Sequence, residues 1–443
     1  MLPYGPWWPV ALGAAIRIAV WALLPASRFA SDEDSYFTVG TVLAAGGAQD
    51  LFWPPLTGWL IALVASIAGP SIAALRFVWV VFDIACLACV RTLASRVAPV
   101  WFAAPDLARR FITLATLGYA LYLPAVSFSQ FTTSETPALL QLLLVLVLLT
   151  NAKAQVAMYA LAGALTGTLT LTRPSLLPLL AFLPLAICLR TDRRDRLRSA
   201  VIFAAAGAIV IGAVVARNWL TAGEATIARN SAYNLYIGNR DFYAEDLNLF
   251  SPRATPEQIE FRRQFFAGQE SYPTESAAEL QRRAVAWIGA HPATFARRAV
   301  GRLARVIAPR TDVVELAGGE RAVSVFSPPS LALLGIANIE WTLILFGGIG
   351  GLIGLRHRDR STFVLFAATV AGGLLLCLIA ISKPRYSFVI DPLLLMCACG
   401  LALQPRQAIA TFTRNDRRWL AVMFAFIVWA WTAWLIFAFS SRG

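Results

Sequence analysis

Charge is scarce in this chain. Asp, Glu, Lys and Arg make up 14% of its 443 residues, where soluble domains carry about 25%. That shortage excludes an ordinary soluble domain, and with 58% hydrophobic residues it marks a polytopic membrane protein. Histidine is scarcer still, present only as His291 and His357. So few His among scattered acids make a weak metal signature, so no metal ligands are assigned and a divalent metal is optional. A Gly-rich phosphate loop, a Walker motif and a Ser-His-Asp triad are all missing, which removes a cytoplasmic nucleotide site. There is no tandem repeat and no low-complexity tract. The first apolar run has no basic region ahead of it and no A-x-A cleavage site after it, so it is expected to remain as a span.

Cysteine does not fill the gap. Cys86, Cys89, Cys188, Cys377, Cys397 and Cys399 all lie in apolar runs. Cys86 and Cys89 have zinc or redox spacing but no His nearby, and they read as buried free thiols. The net charge of +13 and pI near 10.0 would suggest nucleic acid in a soluble protein. Here the arginines cluster between apolar runs, as in the inner loops of membrane proteins, so no nucleic-acid partner is expected.

What the chain does have is a series of apolar stretches, and a span needs about 20 such residues. The candidates are Trp7–Leu24, Ile72–Val90, Phe111–Phe128, Pro137–Thr150, Val156–Leu171, Leu176–Leu189, Ala200–Ala216, Leu331–Leu355, Phe363–Ile381, Phe388–Leu403 and Trp419–Phe439. The run Leu56–Ala68 has about 13 residues and is short for a span. Arginine clusters at 91–110, 190–198, 356–360 and 406–418 all fall inside if the N-terminus is inside and Leu56–Ala68 does not cross. The expectation is therefore an all-α polytopic protein with about 11 transmembrane helices, in which Leu56–Ala68 is re-entrant or juxtamembrane.

This parity leaves five pieces on the outer side: 27–55, 129–136, 172–175, the long loop 217–329, and 382–386. The long loop carries helix signals. Thr255-Pro256-Glu257-Gln258 and Ser276-Ala277-Ala278-Glu279 read as capping boxes, and Pro292 opens a further helix. There Phe295, Ala299, Leu303 and Val306 share one face and Arg298, Arg302 and Arg305 another, a pattern suited to the membrane interface. The chain divides into an N-terminal transmembrane module (1–216, with loop 27–55 in it), a helical external loop region (217–330) and a C-terminal transmembrane module (331–443).

Chemistry concentrates in the outer pieces. Asp32-Glu33-Asp34-Ser35-Tyr36 puts three acids directly after the first span, and Trp53-Pro54-Pro55 closes the loop with a stiff corner. Asp32 and Tyr36 share a face if the segment is helical. A carboxylate on a rigid mount at the membrane surface suits a general base, and Asp32 or Glu33 is the candidate. Arg173, Arg217 with Asn218, and Lys383 and Arg385 with Tyr386 stand at outer span ends, against the usual charge bias. Snorkelling to lipid is one use for them; binding a phosphate leaving group is the other, Arg bidentately and Lys as a point charge. Glu135, which opens the fourth span, is either a helix-start carboxylate favoured by the dipole or a contact to a sugar, an acceptor hydroxyl or a metal, and His291, which precedes Pro292, is a candidate to face the site. His357 sits in an inner Arg cluster and is assigned nothing.

An ordered set of short motifs resembles the GT-C membrane glycosyltransferases, especially bacterial members of glycosyltransferase family 39, the protein O-mannosyltransferases and lipid A aminoarabinose transferases. Asp32-Glu33-x-x-Tyr36 is similar to that family's acidic motif, and Trp53-Pro54-Pro55-Leu56 to the corner after it. Ala74-Leu75-Arg76, Ser134-Glu135-x-x-Pro137 and Leu171-Thr172-Arg173-Pro174 resemble span-end motifs. Arg217-Asn218, Tyr233 to Asn239 with Asn234 in it, His291-Pro292 and Arg385-Tyr386 resemble later landmarks. The resemblance covers residues from Trp7 to Gly400.

It implies a GT-C fold in the bacterial inner membrane and inverting transfer of a hexosyl or pentosyl unit at the periplasmic face. The donor would be a polyprenyl-phosphate-linked sugar, with no cofactor assigned, and the acceptor a lipid, glycan or protein hydroxyl. Asp32 maps to the base, with Glu33 beside it. Arg173, Lys383, Arg385, Tyr386 and Arg217 would hold the donor phosphate, and Tyr36, Glu135, Asn218, Asn234 and His291 the substrates. Asp34 is an extra acid that leaves the choice of base open. A polyprenyl-lipid flippase or transporter is the rival, and it requires polar groups in mid-span. Charged residues instead gather at span ends, with Arg17 and Asp83 as exceptions.

Overall fold

The computed structural model describes residues 5–24, 32–151, 155–190, 195–241, 275–311, 313, 316 and 328–440, without the side chains of 433–440. The capping box at Thr255 lies outside the described residues. Every regular element among those described is helical. In chain order they are α1 (Trp8–Leu23), α2 (Glu33–Ala44), α3 (Pro55–Ala68), α4 (Ile72–Trp101), α5 (Pro105–Leu121), α6 (Leu123–Phe128), α7 (Glu135–Leu149), α8 (Val156–Thr172), α9 (Leu179–Arg190) and α10 (Arg196–Ala222). Then follow α11 (Arg229–Gly238), α12 (Ala277–Ala290), α13 (Pro292–Val306), α14 (Pro328–Arg358), α15 (Arg360–Ile379), α16 (Asp391–Leu403), α17 (Pro405–Ala410) and α18 (Arg414–Ser440), with a 3₁₀ turn over Pro384–Ile390 ahead of α16.

Each expected span falls on a helix, and the third is broken at Tyr122, between α5 and α6. Pro124, which opens the first turn of α6, enforces that break. Among the described residues five helices are long and apolar enough to cross a membrane: Ile72–Trp101, Arg196–Ala222, Pro328–Arg358, Arg360–Ile379 and Pro384–Leu403. Trp8–Leu23, Pro55–Ala68, Glu135–Leu149, Val156–Thr172 and Pro174–Arg190 are apolar but shorter. α3 packs back on α2, so the acidic segment and the short apolar run form one helical hairpin.

Small residues let the long helices approach backbone to backbone, the usual device where lipid tails compete with side chains for contact. A Cβ on Gly163 of α8 would lie 2.0 Å from the Phe203 carbonyl of α10, and one on Gly351 of α14 would lie 2.0 Å from the Cys397 carbonyl of α16. Around these crossings lies a continuous apolar core that includes Leu87, Phe111, Leu142, Phe203, Trp341, Phe366 and Phe388.

α15 runs between two groups of contacts, one at each of its ends. At its N-terminal end Asp359 caps the helix by accepting from Ser361 N (3.0 Å) and Thr362 N (3.1 Å). There Arg190 donates to Ser361 Oγ (2.8 Å). Nearby contacts run from Arg358 to the Trp101 carbonyl (2.5 Å) and from His357 to Asp416 (2.9 Å). The arginine clusters expected to share a side thus meet one another. Its C-terminal end, about 30 Å away at 1.5 Å per residue, abuts α11 and α13 and leads into Lys383 and Arg385.

Candidate active site

Four helix ends converge there: the start of α2, the start of α7, the end of α8, and the 3₁₀ turn before α16. Asp32 stands immediately ahead of α2 and pairs with Arg385 (2.5 Å), its side chain 35% exposed. Arg385 is buried, and its Nε lies 3.5 Å from Glu135. Glu135, the first residue of α7, pairs with Arg173 (2.8 Å) at the end of α8. The Arg173 guanidinium lies 4.9 Å from the centre of the Tyr386 ring. Residues 32, 135, 173, 385 and 386 therefore form one chain of alternating charge backed by an aromatic face. Carboxylates at the starts of α2 and α7 also sit where the helix dipole favours negative charge.

Lys383 stands at the edge of this chain. Its side chain is exposed, and among the described residues it makes no hydrogen bond or ion pair. Its ammonium pKa is nevertheless lowered, first by the nearby Arg385 and then by desolvation, against the opposing pull of Asp32 and Glu135.

The two adjacent acids have different surroundings. Glu33 is 0% exposed. Its carboxylate takes a two-pronged bond from Arg76 (3.0 and 2.7 Å) and two more from Thr132, N at 2.9 Å and Oγ1 at 3.0 Å. Arg76 in turn rests on the Phe131 ring at 5.1 Å. Consecutive helical residues differ by about 100° in direction, so one acid turns into the bundle and its neighbour toward Arg385. Asp34 is exposed.

Tyr36 is buried between Trp53 (ring centres 5.0 Å apart) and the cluster, and shares a hydrogen bond with Ser134. Burial, and then the Asp32 carboxylate, push its phenol well above the ordinary tyrosine range. Tyr36 therefore stays neutral and serves as a wall.

The remaining expected residues are placed elsewhere. Arg217 is exposed, bonds Gln49 Oε1 and lies 5.8 Å from the Trp59 ring centre. Asn218 is buried and donates to the Thr226 carbonyl (2.8 Å), bracing the exit of α10. Asn234 donates to Asn230 Oδ1 (2.8 Å). His291 is exposed, stacks on Trp287 (4.7 Å) and contacts the Trp287 carbonyl. None of these contacts joins the Asp32–Arg385 chain.

The long loop nevertheless reaches the acidic loop through its backbone. Arg229 N donates to the Leu51 carbonyl (2.8 Å) and Asn230 N to the Phe52 carbonyl (3.0 Å), with Tyr233 against Phe52 (5.5 Å).

Three groups near the site carry weight that residue spacing does not convey. Trp79 donates to the Thr133 carbonyl (2.7 Å) and fixes the strap before Glu135. Arg76, placed in a span-opening motif, holds Glu33. The arginine stripe of α13 is present, but Arg298 and Arg302 are buried against protein rather than turned outward, while Arg297 and Arg305 are exposed. The mid-span exceptions also find each other: Arg17 and Asp83 pair at 0% exposure, with Tyr119 Oη donating to Asp83 (2.5 Å) and Arg17 donating to the Ala120 carbonyl (2.9 Å). Among the described residues no three His, Cys, Asp or Glu side chains cluster in a way that could hold a metal.

No protein-family model and no curated protein matches the chain. Among solved structures, an oligosaccharyltransferase from Archaeoglobus fulgidus, crystallised with a tethered acceptor peptide, is similar over 96% of this chain at 14% identity, with a TM-score of 0.46. The chain spans about half, 54%, of that protein's length.

Proposed function

We propose that this protein is an integral-membrane glycosyltransferase of the GT-C type. It would transfer a hexosyl or pentosyl unit, with inversion, from a polyprenyl-phosphate-linked donor to a hydroxyl of a lipid, glycan or protein acceptor. The active site would face the periplasm of a bacterial inner membrane. The observation that carries this reading is Asp32: a partly exposed carboxylate on Arg385, within a charge chain beside an exposed Lys383 that makes no ion pair among the described residues.

In the resting site Arg385 is shared between Asp32 and Glu135. A donor phosphate entering beside Lys383 adds a third anion. Arg385 presents several donors in one plane and suits a phosphate oxygen as well as it suits a carboxylate. Its turn toward the phosphate frees Asp32. Asp32 then takes the proton of the acceptor hydroxyl as that oxygen bonds the anomeric carbon from the face opposite the phosphate. The bond from that carbon to the phosphate oxygen breaks, and its electron pair leaves on the phosphate. Arg385, Lys383 and Arg173 stabilise the charge that develops there. Glu33, fully engaged by Arg76 and Thr132, holds the loop and leaves Asp32 as the base.

A transport route is less well supported. The mid-span charges that would mark one are locked together in a dry, fully bonded pair, which suits structure better than passage. Mass spectrometry of glycolipids, envelope polysaccharides and glycoproteins from a deletion strain tests the proposal. One envelope component should lose a single sugar unit while its polyprenyl-phosphate donor accumulates. An unchanged glycan profile overturns the proposal.

A further inference from the structure

Lys383 and Arg385 sit on the short link between α15 and α16, Lys383 just ahead of the 3₁₀ turn Pro384–Ile390 and Arg385 within it. A short 3₁₀ turn is weakly held by its own hydrogen bonds, and the last carbonyls of α15 have no helical partners. Side chains from the long external loop meet both needs. At the entry to the segment Arg302 Nη1 donates to the carbonyls of Leu378 (3.0 Å) and Ile379 (2.8 Å). Asn239 Nδ2 also donates to Ile379 (2.8 Å). The other arm of Arg302 bonds the Gly238 carbonyl and Asn239 Oδ1. Gly238 itself is pressed on the segment, since a Cβ there would lie 2.0 Å from the Ala380 carbonyl oxygen.

At the exit Arg310 bonds the Pro384 carbonyl, Ser387 Oγ (2.8 Å) and Asp391 (2.5 Å). Asp391 also accepts from Tyr122 Oη (2.9 Å). Both arginines are 0% exposed. Buried guanidinium groups are a poor way to gain stability, because apolar side chains of similar size do as well or better. A guanidinium does offer several donors in a rigid plane, which can hold two or three carbonyls in fixed relation where an ammonium cannot.

We infer that Arg302 and Arg310 are positioning residues, gripping the two ends of the segment that carries Lys383 and Arg385, so that the external loop sets the geometry of the donor-phosphate subsite. The functional half of this inference rests on the phosphate reading above; the positioning half does not. Neither arginine is among those paired with Asp32 or Glu135. They act through the segment, and substitutions should change the environment of Lys383 before they change anything else in the site.

The chain makes this measurable, because Lys153 and Lys383 are its only lysines. The full-length protein in detergent is acylated with acetic anhydride across a pH series, and the Lys383 peptide is followed by mass spectrometry with Lys153 as internal reference. Lys383 of the unaltered protein should titrate below 10.5, as its proximity to Arg385 requires. In Arg302→Lys and Arg310→Lys the loosened segment lets the ammonium move away from the Arg385 guanidinium. Its titration should rise by about one unit, a roughly tenfold fall in acylation rate at fixed pH. Farnesyl phosphate, used as a soluble polyprenyl-phosphate probe, should bind about tenfold more weakly. Arg283→Lys, on the outward side of α12, should change neither.

Thermal melting run alongside separates displacement from unfolding. Should the arginine variants fail to fold, Ser387→Ala removes one of the Arg310 contacts together with the hydroxyl's bonds to the Val306 and Pro384 carbonyls, and should shift Lys383 in the same direction. Folded variants with an unaltered Lys383 titration overturn the inference. A shifted titration in a protein that binds no farnesyl phosphate upholds the positioning role and refutes the phosphate reading.

Discussion

Replacing each of two neighbouring acids by its amide should produce opposite phenotypes. Glu33→Gln removes the charge that compensates Arg76, in a pair whose side chains are 0% and 4% exposed. Breaking a buried pair on one side costs about 3–5 kcal/mol, because the remaining charge is left without a partner. The amide also has only one oxygen for the Thr132 donors and presents an NH₂ to the guanidinium. Expression and melting temperature should fall together, with activity per folded molecule largely kept. Asp32→Asn is different. Asp32 is partly solvated, and the buried Arg385 keeps Glu135 beside it when Asp32 loses its charge, so the fold should change less than in Glu33→Gln. Loss of a general base costs about 10²–10⁴ in rate. The assay is transfer of labelled sugar in isolated membranes, normalised to folded protein by fluorescence-detected size exclusion, with melting in parallel. A normally folded, fully active Asp32→Asn variant would refute Asp32 as the base. An inactive, fully stable Glu33→Gln variant would move the base one residue along.

Three other expectations follow from the same contacts. Gly238→Ala places a methyl against the Ala380 backbone oxygen, and overpacking of this kind costs about 1–3 kcal/mol; differential melting should show the loss, along with reduced transfer from displacement of the Lys383 segment. Asp83→Asn strands Arg17 inside the bundle and should cost about 3–5 kcal/mol, whereas the double variant Arg17→Met/Asp83→Leu should recover most of it, read by denaturation in detergent. On the proposed phosphate reading Lys383 would contribute to binding only while protonated, and its pKa is lowered from the ordinary 10.5. Farnesyl phosphate affinity should therefore be full at neutral pH and decline as pH rises through that lowered value, and the decline should vanish in Lys383→Arg.

The helices were readable in the sequence because hydropathy is a local property, and each apolar run became a helix whatever its neighbours did. The cluster at one end of the bundle was readable for a related reason. In a chain with so few charges, acids and arginines at the ends of apolar runs have limited places to go, and the parity of those runs puts them together. What stayed hidden depends on direction and partnership. Asp32 and Glu33 are indistinguishable by composition, and one helical step separates a buried bond to Arg76 from a partly solvated one to Arg385. Arg298 and Arg302 look like the wet face of an interfacial helix, and they turn inward only because carbonyls at the ends of α11 and α15 wait for them. Arg217, Asn218, Asn234 and His291 share the site's side in any topology count, yet local partners hold each of them.

The spread of the charge chain along the polypeptide also sets an order of events during synthesis. The Glu33–Arg76 bond joins residues 43 apart, whereas the Asp32–Arg385 bond joins residues 353 apart. A chain emerging from the ribosome acquires its N-terminal contacts first. The brace on the acidic hairpin is thus complete many helices before the arginine opposite Asp32 exists, and the hairpin waits with its outer carboxylate unmatched. A polypeptide interrupted anywhere before the last few helices carries that acid without its arginine, a mark of incompleteness that the finished protein removes when Arg385 arrives.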